Sequence, residues 1–160
     1  MDKWEKKVLD EMDLSLKGTR EKDLRFFRID ELQRNISRIG KFSVSCTGCQ
    51  KLKSDVENTL VHINEAVNVP GPYRRDLDRL TVRIGRHMMK NHHIYPPWHF
   101  NYLYSFYGIL AGSLAGLLFV FLFPGEKWEF IAAGFVVGLV AGQLAGGKRD
   151  REIRNDNRLM

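Results

Sequence analysis

Residues 102–123 read YLYSFYGILAGSLAGLLFVFLF and residues 130–147 read FIAAGFVVGLVAGQLAGG; these two runs decide the fold. The first is 22 residues without a charge and the second is 18. A helix needs about 20 apolar residues, at about 1.5 Å rise each, to cross a hydrocarbon core about 30 Å thick. Lipid offers no partner for backbone N–H and C=O groups, so each run must be helical. Only Pro124, Gly125, Glu126, Lys127, Trp128 and Glu129 lie between them, room for no more than a turn. The pattern predicts a two-span transmembrane helical hairpin over residues 102–147.

Small residues recur along both runs. Gly108, Gly112 and Gly116 repeat every four positions in the first, and Gly134, Gly138, Gly142 and Gly146 in the second, with Ala111, Ala115, Ala141 and Ala145 beside them. A spacing of four puts each row on one helix face, where missing side chains let two backbones approach closely. The seven glycines are therefore the expected helix-packing residues. In this respect the hairpin, and only the hairpin, resembles the general class of glycine-zipper membrane proteins. Spacing alone leaves open whether the rows meet within one hairpin or between copies, and some homo-oligomerisation is expected. The spans carry no charged side chain, with Ser113 and Gln143 the clearly polar ones, which argues against a transporter with a protonatable site. A small oligomeric channel stays open as a third reading.

The charge distribution orients the hairpin. Residues 1–100 hold 19 Lys and Arg against 14 Asp and Glu, the turn 124–129 is net −1, and the tail 148–160 holds five basic against three acidic residues. Basic residues next to span ends mark the cytoplasmic side, so both termini are expected in the cytoplasm and the acidic turn outside. No signal peptide is visible, because the chain opens on the charged run Met1, Asp2, Lys3, Trp4, Glu5. These features fit a multi-pass protein of a bacterial inner (cytoplasmic) membrane. The formal net charge of +6 is explained by anionic lipid, and no nucleic-acid partner is expected.

Ahead of the hairpin, residues 1–95 predict a cytoplasmic bundle of three to four helices, so the fold class is all-α. Residues 2–17 carry Trp4, Val8, Leu9, Met12 and Leu16 at helical spacing, with Gly18 as a stop and Thr19 as the next N-cap. Residues 20–40 form the second helix, where Ile29, Leu32, Ile36 and Ile39 make an a/d seam too short to prove a coiled coil. The third runs from about Cys49 to Val69 with Leu52, Val56, Leu60, Ile63 and Val67 as its stripe, until Pro70, Gly71 and Pro72 break it. In the fourth, Leu77, Leu80, Ile84 and Met88 share one side, while Arg75, Arg79, Arg83, Arg86 and Lys90 share the other. That basic stripe, with Lys148, Arg149 and Arg151 after the second span, is the expected lipid-headgroup contact. Residues 96–101 are an interfacial linker, with Tyr95, Trp98, Tyr102 and Tyr104 suited to headgroup level. Residues 148–160 are a basic cytoplasmic tail.

One motif carries chemical potential: Cys46, Thr47, Gly48, Cys49. Two thiolates two residues apart can chelate a metal or cycle as a redox pair, and a helix start lowers a thiol pKa. Two cysteines in a reducing compartment argue against a structural disulfide. A zinc site needs two further ligands. His62 lies at finger spacing after Cys49, but no histidine follows it within three to five residues, so a zinc finger is rejected. A site shared with His87, His92 or His93, or across a dimer, stays open beside the reading of two inert thiols. His99 belongs to the same histidine-rich stretch. No nucleophile elbow, phosphate-binding glycine loop or HExxH pattern is present, so no catalytic residue and no enzymatic activity are expected. The favoured role is a scaffold or protein-interaction module at the inner membrane, with an unknown protein partner on the cytoplasmic side. The alternative is a thiol- or metal-responsive membrane regulator using Cys46 and Cys49.

Overall fold

A computed structural model describes residues 3–122 and 127–160. The expected turn at Pro124, Gly125 and Glu126 lies outside the described residues. The described chain is all-α, with eight helices and no strand beyond an isolated bridge between Tyr95 and Leu159. It divides into two compact units, residues 1–93 with Met160, and residues 94–159.

The first unit is a helical domain built from six helices where three to four were expected. Helix α1 spans Lys3–Ser15, α2 Glu21–Phe26, α3 Ile29–Phe42, α4 Thr47–Leu60, α5 Ile63–Asn68 and α6 Pro72–His92. The second expected helix, residues 20–40, is broken because Arg28 adopts a left-handed conformation (φ 52°), which stops α2 and restarts the chain as α3. Arg28 is held there by an ion pair to Glu31. The third expected helix starts earlier than Cys49, at Thr47, and breaks at Val61 and His62 into α4 and α5. Thr19 does not cap the following helix: Arg20 occupies the N-cap, and Thr19 accepts a bond from Asn68 (3.2 Å).

The apolar stripes do meet. Val8, Met12 and Leu16 of the first segment, the Ile29, Leu32, Ile36 and Ile39 seam, Leu52, Val56 and Leu60, Ile63 and Val67, and Leu77, Leu80, Ile84 and Met88 are all buried. Each such side chain contributes about 1.5–3 kcal/mol relative to exposure, enough to override a local break in the helix. The breaks keep the stripes aimed inward: Leu60 and Ile63 both face the core although a kink separates them. Arg74 closes the end of α5, donating to the carbonyls of Ala66 (3.3 Å) and Val67 (3.1 Å).

The second unit is a helix pair. Helix α7 spans His99–Leu122 and α8 spans Lys127–Asn155. The first therefore begins inside the expected linker, and the second runs into the expected tail and ends there at Asn155. Both are long and apolar enough to cross a membrane. Only 6% of the most apolar window of α7 and 17% of that of α8 are buried, which distinguishes them from core helices of a water-soluble domain. Tyr102, Phe106, Phe121, Leu144 and Trp128 are exposed.

Close backbone contact holds the pair together. A Cβ placed on Gly108, Gly112 or Gly116 would stand closer than 3.0 Å to the main chain of Gly138, Gly134 or Phe130, respectively. From the other side, Gly134, Gly138, Gly142 and Gly146 stand against the main chain of Gly112, Gly108, Tyr104 and Phe100. The two rows thus face each other within one chain. At the mouth of the pair, buried Asp150 accepts the backbone N–H groups of Phe100 (3.1 Å) and Asn101 (2.9 Å). Those are donors of the first turn of α7 that have no partner within the helix.

Candidate metal centre

Four side chains of the helical domain converge on one point: Cys46, Cys49, His87 and His92. Cys46 is the N-cap of α4, with extended backbone (φ −118°, ψ 112°), and Cys49 sits in the first turn. An extended cap followed by one helical turn brings both sulfurs to the same end of α4. His87 and His92 come from the last turns of α6. They are five residues apart, about 140° around a helix, so they do not share a face. They converge because the cysteine pair lies between them and each ring is held from outside. The His92 ring stacks on Phe42 with centroids 4.1 Å apart and planes 9° from parallel. The His87 ring lies over Gly48, where a Cβ would stand closer than 3.0 Å to its Cε1. Only glycine at position 48 leaves room for that imidazole.

The donor atoms are Sγ of both cysteines and Nε2 of both histidines. His87 Nε2 lies 3.4 Å from Cys46 Sγ and 3.3 Å from Cys49 Sγ, and His92 Nε2 lies 3.3 Å from Cys49 Sγ. All four fall within 4.8 Å of one another. Tetrahedral zinc, with bonds of about 2.3 Å to sulfur and about 2.0–2.1 Å to nitrogen, separates its ligands by roughly 3.3–3.8 Å. The three closest pairs already match this spacing, and the 4.8 Å bound on the others asks for side-chain adjustments on the order of an ångström. Two soft thiolates and two imidazoles are also the donor set that selects zinc over magnesium or calcium.

The electrostatics of the group suit ligation. The Cys46 thiol is held below its ordinary value, chiefly because the Cys49 backbone N–H donates to its sulfur, with the Cys49 side chain and the Gly48 N–H adding to this against burial. The Cys49 thiol is pushed up to about 12, first by burial, then by the hydrogen bond and charge of Cys46. The helix start therefore favours one thiolate, that of Cys46. Burial, followed by the neighbouring His87 and His93, lowers the His92 pKa and favours the neutral imidazole that a metal requires. A bound cation would replace the proton on Cys49 and offset the repulsion between the two sulfurs.

The structure thus chooses His87 and His92 among the candidates. His93 caps the end of α6 in a left-handed conformation and is outside the group. His62 stacks on Tyr73 (4.0 Å) beside Glu65, and His99 stacks on Tyr95 (5.4 Å) in the other unit. Gly48 and Phe42, which shape the site, escaped the sequence reading. Glycine inside a CxxC turn was the visible signal for the first; the second left none, since Phe42 is distant in sequence from either histidine.

The expected headgroup contacts are less basic than their sequence suggests. Arg75, Arg79, Arg83, Arg86 and Lys90 are all exposed along α6, but Arg79 pairs with Asp76 (3.3 Å) and Arg83 with Asp55. On α8, Lys148, Arg149 and Arg151 are exposed, and Arg149 pairs with Glu152 (2.7 Å). Comparison with known protein families, curated proteins and solved structures finds no match.

Proposed function

We propose that this protein is a membrane-anchored, non-enzymatic scaffold whose helical domain is clamped by one zinc ion on Cys46, Cys49, His87 and His92. The convergence of the four donors carries this reading. Four protein ligands complete a tetrahedral shell and leave no position for water or substrate, which suits a structural rather than a catalytic ion. Zinc here joins the start of α4 to the end of α6, and His92 is the last residue of α6 before the chain passes to the hairpin. A small helical domain gains stability from such a cross-link, because the metal-binding free energy becomes folding free energy.

The two apolar helices supply the anchor, placed in a bacterial inner membrane with both termini cytoplasmic on the strength of the flanking basic residues. That side is reducing, which keeps both thiols available to metal. Self-association is part of the proposal. With the glycine rows engaged inside the hairpin, the surface offered to a second copy is the apolar groove that Ala115, Phe119, Ala133 and Ala141 help to line. The basic residues of α6 and α8 provide the contact to anionic headgroups, and an unidentified cytoplasmic protein is the partner.

Elemental analysis of the full-length protein, purified in mild detergent with zinc supplied, tests the central claim. About one zinc per chain is expected for wild type and less than about a tenth for Cys46→Ala, Cys49→Ala. Wild-type protein that leaves a desalting column without zinc would sink the reading.

A further inference from the structure

The four donors are unequally placed along the chain. Cys46 and Cys49 share one turn at the start of α4, whereas the histidines they approach lie 38 to 43 residues away. An ion on all four is therefore a long-range cross-link between α4 and α6. A bond between the two sulfurs would instead close only the CxxC turn. Cross-links gain stability by closing long loops, so the first ties the domain together and the second contributes little beyond α4.

The sulfurs also differ in access. Cys46 is partly exposed and Cys49 is fully buried. The chain contains two cysteines in all, so an oxidised Cys46 has one in-chain thiol to meet, and that thiol is already within 4.8 Å.

We propose that the centre is an oxidant-released clamp: a hydroperoxide converts Cys46 and Cys49 to a disulfide, ejects the zinc and unlinks α4 from α6. This rests on the zinc reading above. The Cys46 thiolate attacks one oxygen of the peroxide; an S–O bond forms, the O–O bond breaks, and the departing hydroxide takes a proton from solvent. The Cys49 sulfur then attacks the Cys46 sulfur; the S–S bond forms, the S–O bond breaks, and a second hydroxide leaves and is protonated. Two thiolates give up two electrons, one peroxide accepts them, two protons enter from solvent and two waters form (for an alkyl hydroperoxide, one water and one alcohol). His87 and His92 are then the remaining donors, half of what a structural zinc requires. A thiol reductant and fresh zinc reverse the change.

The experiment uses zinc-loaded, full-length wild-type protein in detergent, titrated with hydrogen peroxide. A colorimetric chelator reads released zinc, intact mass reads the sulfur chemistry, and amide exchange reads the helix ends. One zinc should leave per chain that loses two hydrogens, with exchange at residues 46–52 and 84–92 rising at least about fivefold. Dithiothreitol with zinc should restore both. Zinc that stays bound at peroxide doses oxidising glutathione in the same sample would overturn the proposal, as would zinc leaving with oxygen adducts in place of the disulfide. Zinc content before peroxide separates the two claims: a zinc-free starting protein defeats the metal reading itself, whereas a loaded protein indifferent to peroxide defeats only the switch.

Discussion

Gly48 and Gly138 both stand where a side chain would collide, but with different neighbours. A Cβ on Gly138 would run into the carbonyl of Gly108, main chain fixed inside a helix. A Cβ on Gly48 would run into the His87 ring, the mobile end of a side chain. The same missing atom therefore serves two ends. In the hairpin it sets how near two backbones can lie; in the helical domain it sets whether a ligand can reach its ion. Damage at the first site should appear as lost stability, and at the second as lost affinity in a domain that still folds.

The largest effect is expected from Gly138→Leu. Neither helix can retreat without separating the pair, so overpacking should cost about 3 kcal/mol. Thermal unfolding of the hairpin in detergent should shift down by several degrees while zinc content stays at wild-type level. An unchanged midpoint would show that the helix pair packs less tightly than described. Next comes Gly48→Ala, which should push His87 off the donor set and weaken zinc binding about 10- to 100-fold, the range found when support of a metal ligand is disturbed. Chelator competition measures this. If the metal-free variant unfolds earlier than metal-free wild type, Gly48 matters for packing and the contrast with Gly138 fails.

Acidity probes the metal site without mutation. Zinc must displace the proton that Cys49 carries up to about pH 12, so at least one proton leaves on binding throughout the neutral range. Affinity should then rise at least about tenfold per pH unit between pH 6.5 and 8.5, and a flat profile would remove Cys49 from the ligand set. The metal-free domain has the opposite dependence. A raised thiol pKa favours the protonated folded form, so its contribution is complete below about pH 9 and is lost as pH climbs toward 12. The smallest effect belongs to Phe42→Leu, which removes the ring stacked on His92 and should cost zinc binding about 1 kcal/mol, roughly fivefold.

Reading the sequence goes furthest where burial is periodic. The stripes of α1, α3, α4, α5 and α6 were legible because each carries an apolar residue every three or four positions, and all of these are buried except Trp4 and Leu9 of the first, which are half-buried. The breaks at Arg28 and His62 were not legible, since neither residue is a glycine or proline and tertiary packing imposes both. The cysteine half of the candidate metal site was visible in its spacing, beside the reading of two inert thiols. The histidine half stayed open among His87, His92 and His93, because a five-residue interval on α6 defines no common face. Which glycine row faces which could not be read from one helix at a time. Asp150 did leave a signal: it continues the every-four row of Gly134, Gly138, Gly142 and Gly146 by one further step.

That last step makes length itself a controlled quantity. The Asp150 carboxylate meets Phe100 and Asn101 at one phase of α8 only. Inserting a single residue between Gly146 and Asp150 would swing it about 100° around the axis and strand two amide donors. The helix pair is thus a ruler with a clasp at one end, which fixes the phase of α8 against the start of α7. Bilayers of different thickness would be met by tilting the pair as a whole rather than by sliding one arm along the other.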